Sequence, residues 1–508
     1  MNNVISTVKL DEFRLFIRKI KSYEEALGVM YWDLRTGAPR KGVEARSEVI
    51  GVLSTEMFKL SVSEEMKQYL EEFSRPERFE QLDAINRKIV IECKKEYDHS
   101  IKIPPEMYQE YVVLTSNAES VWEEAKQLSD FKMFEPYLEK IVDFNRKFIE
   151  LWGYEGNKYN ALLDLFEPGM TVEKLDQVFD ELRTRLVPLV SAIKESANKP
   201  DTSFLKHNFD KEKQRQFSLF ILQEMGYDFA AGRLDESEHP FATGLNPGDV
   251  RITTKFKPDD VTFALFGTIH EGGHGLYEQN ISPELLGTPL CTGTSMGIHE
   301  SQSRFWENFV GCSRAFWQRY YGDLQKLFPV ELGNVPVEAF YRAINEATPS
   351  FIRIEADELS YNLHIMIRYE IEKSLINRDI SVSELPRVWN EKYREYLGID
   401  PRNDAEGVLQ DVHWAGGSFG YFPSYSLGNM YAAQMVHTLK TAMPEFEALI
   451  TAGNLLPIKE WLTDKVYQHG KLLTPGEIIL QVTGEPLNPS YLADHLESKY
   501  KDIYQLFD

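Results

Sequence analysis

The chain has 508 residues, with 56 basic and 79 acidic side chains and a formal net charge of −23. That balance disfavours nucleic acid and anionic membranes as general partners, and the length is enough for a sizeable globular core. Cys93, Cys291 and Cys312 make neither a disulfide framework nor a zinc knuckle; no stretch approaches about 18 apolar residues and the first six residues open no secretory leader, so the expected location is cytoplasmic.

Helices dominate the first part of the chain. Apolar stripes at helical spacing run through roughly residues 11–35, 40–75, 80–98, 105–128 and 132–152. Residues 173–193 then place Leu175, Val178, Phe179, Leu182, Leu186, Leu189 and Val190 on one face, with charged residues opposite and Thr171 as the cap. Pro and Gly gather around 239–258, 282–297 and 415–428. One strand signal lies there: Val250, Ile252, Thr254 and Phe256 alternate with Arg251, Thr253 and Lys255, which predicts a small sheet with an edge suited to an extended peptide. No repeat, low-complexity tract or linker divides the chain, so residues 1–508 read as one domain.

A helix follows the strand. Pro258, Asp259 and Asp260 supply its cap, and Val261, Leu265, Phe266 and Ile269 follow at helical spacing. It carries His270-Glu271-Gly272-Gly273-His274, the pattern H-E-x-x-H. Two imidazoles four residues apart project from one face and can grip one divalent ion, while Glu271 is placed to take a proton from a water that the ion activates. Gly267, Gly272, Gly273 and Gly275 weaken the helix, so something is expected to press against its backbone.

The third ligand is expected from a second helical run, in which Met296, His299, Ser303 and Trp306 share a face. Glu300 is preferred over its neighbour His299, which is then free to support the site. Two His and one Glu form the donor set of hydrolytic zinc centres, with Co²⁺ or Mn²⁺ as able substitutes.

With these two helices in view, the chain resembles the thermostable-type metallocarboxypeptidases of bacteria and archaea, the carboxypeptidase Taq-like group. The resemblance rests on the H-E-x-x-H pair, on His299-Glu300-Ser301-Gln302, on D-x-R-x-T at Asp249 to Thr253, on I-R-x-x-A-D at Ile352 to Asp357, and on G-x-x-Q-D-x-H-W at Gly407 to Trp414. It reaches Tyr31-Trp32-Asp33 at one end and Gly420-Tyr421-Phe422-Pro423-Ser424-Tyr425 towards the other. It implies a mainly α fold: a single two-lobed helical body with a deep groove and a small sheet beside the zinc helix, similar to neurolysin and angiotensin-converting enzyme. It also implies a homodimer that acts on peptides with a free C-terminus.

A carboxypeptidase must hold an α-carboxylate, a task that suits the planar fork of Arg. Arg353 and Arg251 are the candidates, although Arg353 can instead pair with Asp357 on a helix and Arg251 with Asp249. His413 and Tyr425 are candidate stabilisers of the negative charge that develops in the reaction, with Tyr421 as the competing tyrosine. Gln410 and His413 share a helix face if their segment is helical. His239 is a weaker candidate for the cleft wall, and His364 reads as a hydrogen-bonded core histidine. The position four after Glu300 is Arg304, where many such peptidases carry Asp, so the outer partner of the histidines is sought at Asp357 or Glu355.

Three activities fit these residues: release of single C-terminal amino acids, endo-oligopeptidase or dipeptidyl carboxypeptidase cleavage, and a scaffold with a structural metal. Glu271 argues against the scaffold, because a structural ion needs no base.

Overall fold

A computed structural model describes residues 2–506. The stripes predicted from the sequence are helices, with shifted limits. The first helix is Asn2–Thr36, and the later ones are Ala84–Ile101, Pro105–Leu128 and Phe131–Trp152. The 40–75 stripe is not continuous. Val43–Ser61 ends and Glu64–Phe73 begins because Ser63 adopts an extended conformation and its hydroxyl caps the N–H of Met66. Thr171 caps Val172–Glu195 as expected, accepting from the N–H of Lys174.

Three strands form a small sheet: β1 (Gly232–Glu236), β2 (Ala242–Asn246) and β3 (Asp249–Thr254). β3 is central, parallel to β1 with Leu234 beside Ile252, and antiparallel to β2 with Ala242 beside Ile252. The strand stops at Thr254, two residues before the end of the alternating pattern, and Phe256 is buried beyond it. The sheet lies against helix Val261–Gln279. Tyr227 donates its hydroxyl to the carbonyl of Val250 and lies, with Ile252, against Gly275 of that helix.

The buried apolar residues form one continuous cluster that runs from Phe13 to Tyr504. His364 lies within it, fully buried, with Nδ1 2.9 Å from the Tyr393 hydroxyl, as the sequence suggests. Among the described residues, no helix is long and apolar enough to cross a membrane.

The segment between residues 398 and 422 departs from expectation. It is a chain of turns, so Gln410 and His413 do not share a helix face. Long-range bonds hold it in place of a helical ladder: the Trp122 indole donates to the Leu409 carbonyl and the Lys126 ammonium to that of Gln410.

Candidate metal centre

Two helices pack closely against each other. Asp260 caps the first, Val261–Gln279, accepting from the N–H groups of Thr262 and Phe263. Ser295 caps the second, Met296–Arg304, accepting from Ile298. The glycines of the first helix explain how close they come. A β-carbon on Gly273 would stand 2.6 Å from the Gln302 carbonyl oxygen, and one on Gly272 would stand 2.7 Å from Leu222. Gly267 is different, since only ordinary contact with Thr254 awaits a β-carbon there.

This close packing brings His270, His274 and Glu300 together, with one ligand atom from each lying within 4.8 Å of the others. His270 Nε2 is 3.8 Å and His274 Nε2 3.6 Å from Glu300 Oε2. These separations are too long for hydrogen bonds. They approach the spacing of about 3.3 Å between ligands that share a tetrahedral ion at bonds of about 2 Å. The donor set and the spacing therefore fit a divalent ion.

The outer contacts fix both rings. His270 Nδ1 meets Glu307 Oε2 at 2.8 Å. His274 Nδ1 meets His299 Nδ1 at 2.6 Å, and His299 Nε2 meets Glu278 Oε1 at 2.9 Å. If His274 presents Nε2 as a ligand, its Nδ1–H donates to His299, whose Nε2–H in turn donates to Glu278. The outer partners are thus neither Asp357, which caps helix Glu358–Asn377, nor Glu355, which lies on a short 3-10 turn. Glu278 is one turn beyond His274, a spacing readable in the sequence. Glu307 lies in the π-helical turn Phe305–Gly311, where ordinary helical spacing fails.

Arg304 replaces the expected acid and works on the other ligand. Its Nε is 2.7 Å from Glu300 Oε1, and its Nη1 is 3.1 Å from Glu307 Oε2. Burial raises the affinity of Glu300 for a proton, but Arg304 and His270 outweigh it and hold the carboxyl far below its usual range. Burial pulls His274 down to about 3, so its imidazole is neutral and free to coordinate. Glu271 is buried beside the ligands. Burial pushes it up to about 7, with His270 pulling it down and Glu300 and Glu307 adding to the rise.

A second group of residues faces Glu300. Tyr425 lies in the first turn of helix Pro423–Ala442, its hydroxyl 3.2 Å from His413 Nε2. The Tyr421 ring is 5.1 Å from that of Tyr425, and the Glu300 carboxylate contributes to raising both phenols. Burial lowers His413 to about 4, with Arg353 and Arg368 adding to the effect against Asp411, so this imidazole is neutral near pH 7.

Arg353 is not on a helix with Asp357. It lies in the 3-10 turn Arg353–Glu355, and its Nε and Nη2 are each 2.9 Å from Asp411 Oδ1, while Nη1 is 3.0 Å from the Tyr361 hydroxyl. Arg368 holds the other oxygen of Asp411 at 2.6 Å. Gln410 is wholly engaged inside the protein. Its side-chain oxygen accepts from the Arg353 N–H and from Arg368, and its amide donates to the carbonyls of Phe351 and Glu406. Arg251 forks onto Asp249 at 2.8 and 2.7 Å, and His239 is exposed on the loop between β1 and β2. A cavity of about 360 Å³ has His299, Met296 and Phe166 among its walls, together with Glu92, Glu96 and Lys471.

Two histidines and a glutamate, with a buried carboxylate beside them in a mainly helical body, define a metal-dependent peptide hydrolase. Residues 12–500 match the family described as carboxypeptidase Taq (M32) metallopeptidase, and the chain belongs to that family. It is a metal-dependent carboxypeptidase. Carboxypeptidase 1 of Bacillus subtilis is 54% identical over 97% of this chain and 98% of its own length. Thermostable carboxypeptidase 1 of Thermus thermophilus is 39% identical over 95% of this chain and 96% of its own. Among solved structures, the M32 carboxypeptidase of Deinococcus radiodurans superposes with a TM-score of 0.95 at 36% identity, covering 98% of this chain and 100% of that one.

Proposed function

We propose that this enzyme removes single amino acids from the C-terminus of peptides, with zinc held by His270, His274 and Glu300. A divalent ion there supplies a Lewis acid that acidifies water and polarises a carbonyl. Glu271 then acts as general base and later returns the proton to the leaving amine. The buried position of Glu271 and its raised proton affinity support that role. Tyr425 donates its hydroxyl to the developing negative charge, and neutral His413 orients the phenol through Nε2.

One observation carries the exopeptidase reading. Two guanidinium groups, Arg353 and Arg368, share the single carboxylate of Asp411. Their two positive charges exceed that one negative charge, and Arg353 stands beside Tyr361 and Tyr425. Arg353 still has N–H groups beyond the three bonds described, and a substrate α-carboxylate complements them. Gln410 steadies the Arg353 backbone and is assigned no contact with substrate. Arg251, with its fork filled by Asp249, is the lesser candidate for the clamp, and His239 remains a candidate for the outer wall of the cleft.

The reading extends to one catalytic domain, supported by the continuous core and the length of the family match. It extends also to a cytoplasmic location, supported by three unpaired cysteines, and to a homodimer, supported by the family resemblance alone. Replacing Glu271 by Gln tests the chemistry. The variant should bind the metal as the parent does and lose turnover, whereas retained turnover would remove Glu271 as the base.

A further inference from the structure

Glu372 lies on helix Glu358–Asn377, fully buried, and has no part in the chemistry described above. Three donors converge on it. The Tyr159 hydroxyl is 2.5 Å from Oε2, the Gly420 N–H is 2.8 Å from the same oxygen, and the Trp414 indole is 2.7 Å from Oε1. Trp414 immediately follows His413, and Gly420 immediately precedes Tyr421. One carboxylate therefore grips both stems of the loop that carries the two groups packed against Tyr425. Backbone bonds shape the turns within the loop, such as the Ser418 N–H to the His413 carbonyl at 2.9 Å, whereas Glu372 ties Trp414 and Gly420 to helix Glu358–Asn377.

We propose that Glu372 is a positioning residue for hydrolysis: its carboxyl group, with one acceptor oxygen towards each stem, pins the 413–421 loop and so sets His413, Tyr421 and Tyr425 against the metal centre. The inference rests on the reading that this tyrosine–histidine face acts on the reaction. Glutamine has the same shape but cannot replace the acid. Turned one way, its NH₂ meets the Trp414 indole N–H; turned the other way, it meets the Gly420 N–H. Tyr159 can rotate its hydroxyl to accept, but an indole and a backbone amide can only donate. Asp is one methylene too short to reach both stems.

The test uses the metal-loaded, full-length enzyme and an N-acetylated peptide with a free C-terminus, with kcat, KM and metal content measured for Glu372→Gln, Trp414→Phe and the double variant. Glu372→Gln should keep its metal and lose about ten- to a hundredfold in kcat with little change in KM, the scale of one buried donor left without its acceptor. Removing the indole frees one side for the amide NH₂, so the double variant should be more active than Glu372→Gln alone. Wild-type kcat in Glu372→Gln, or a double variant no more active than Glu372→Gln alone, would overturn the proposal. If Glu372→Gln does not fold, Trp414→Phe decides alone: a kcat loss with metal retained supports the pin, and an unchanged kcat refutes it. Tyr425→Phe run in parallel separates the two claims. If that variant is impaired while Glu372→Gln is not, only the pin fails; if neither is impaired, the reading of the face fails with it.

Discussion

Gly428 presses directly on Glu300: a β-carbon at Gly428 would stand 2.6 Å from Glu300 Cγ and 2.7 Å from its Cβ. The helix that bears the third metal ligand is thus packed closely on two sides, by Gly273 of the histidine helix and by Gly428 of the tyrosine helix. Gly428→Ala should move a ligand without altering one. Overpacking of this kind costs about 1–3 kcal/mol, and the expected result is metal affinity weakened by roughly ten- to a hundredfold, read by titration with a chelator. Unchanged affinity would show that the Glu300 helix has room to shift.

The neighbours Glu300 and His299 separate ligand from support. Glu300→Ala should weaken metal binding far more than His299→Ala. Removing an outer partner of a metal histidine typically costs about 10–100-fold in affinity, and Glu278→Gln should fall in that same class. Metal titration of the three variants decides the matter, and a His299 loss larger than that of Glu300 would reverse the assignment.

Tyr425→Phe should lower kcat by about 10²–10³ with little change in KM, since the bond proposed for it to the developing charge forms in the transition state. A loss expressed in KM alone would place Tyr425 in binding. Tyr421→Phe is the control that decides between the two tyrosines.

Both metal-binding helices were legible because their chemistry is local. His270 and His274 are one turn apart on one strand-flanked helix, and Glu300 sits in a run with its own apolar face. The glycines signalled close packing, and three of the four do face a neighbouring element. What escaped lies where spacing no longer reports geometry. Glu307 lies within a π turn, and Arg353 sits in a 3-10 turn that ends before the true helix cap, Asp357. The spacing of Gln410 and His413 imitates a helix, but their segment is fixed by Arg353, Arg368, Trp122 and Glu372, all distant in sequence. No local pattern encodes those partners.

Stability towards acid offers an independent check on the core. Glu358 is buried against Lys499 at 2.5 Å and His495 at 3.1 Å. Burial opposes its charge, but Lys499 and His495 prevail and hold it at about 2. An unfolded Glu titrates near about 4.3, so the unfolded chain binds the proton first. Glu358 therefore stabilises the fold above that value, and its contribution, on the order of 3 kcal/mol, fades as pH falls from about 4 to about 2. Urea melts over this window should show a shallower pH slope in Glu358→Gln than in the parent; identical slopes would mean that the pair does not couple to folding.

In the proposed reaction a free C-terminal carboxylate, read by Arg353, directs cleavage. The most direct measurement compares one N-acetylated peptide with its C-terminus free and amidated, following products by mass spectrometry over time. Free single amino acids should be released in order from the C-terminal end, and amidation should slow hydrolysis about ten- to a hundredfold, the worth of one charged hydrogen bond. Equal rates for the two peptides, with internal fragments as first products, would contradict the proposed reaction and identify an oligopeptidase.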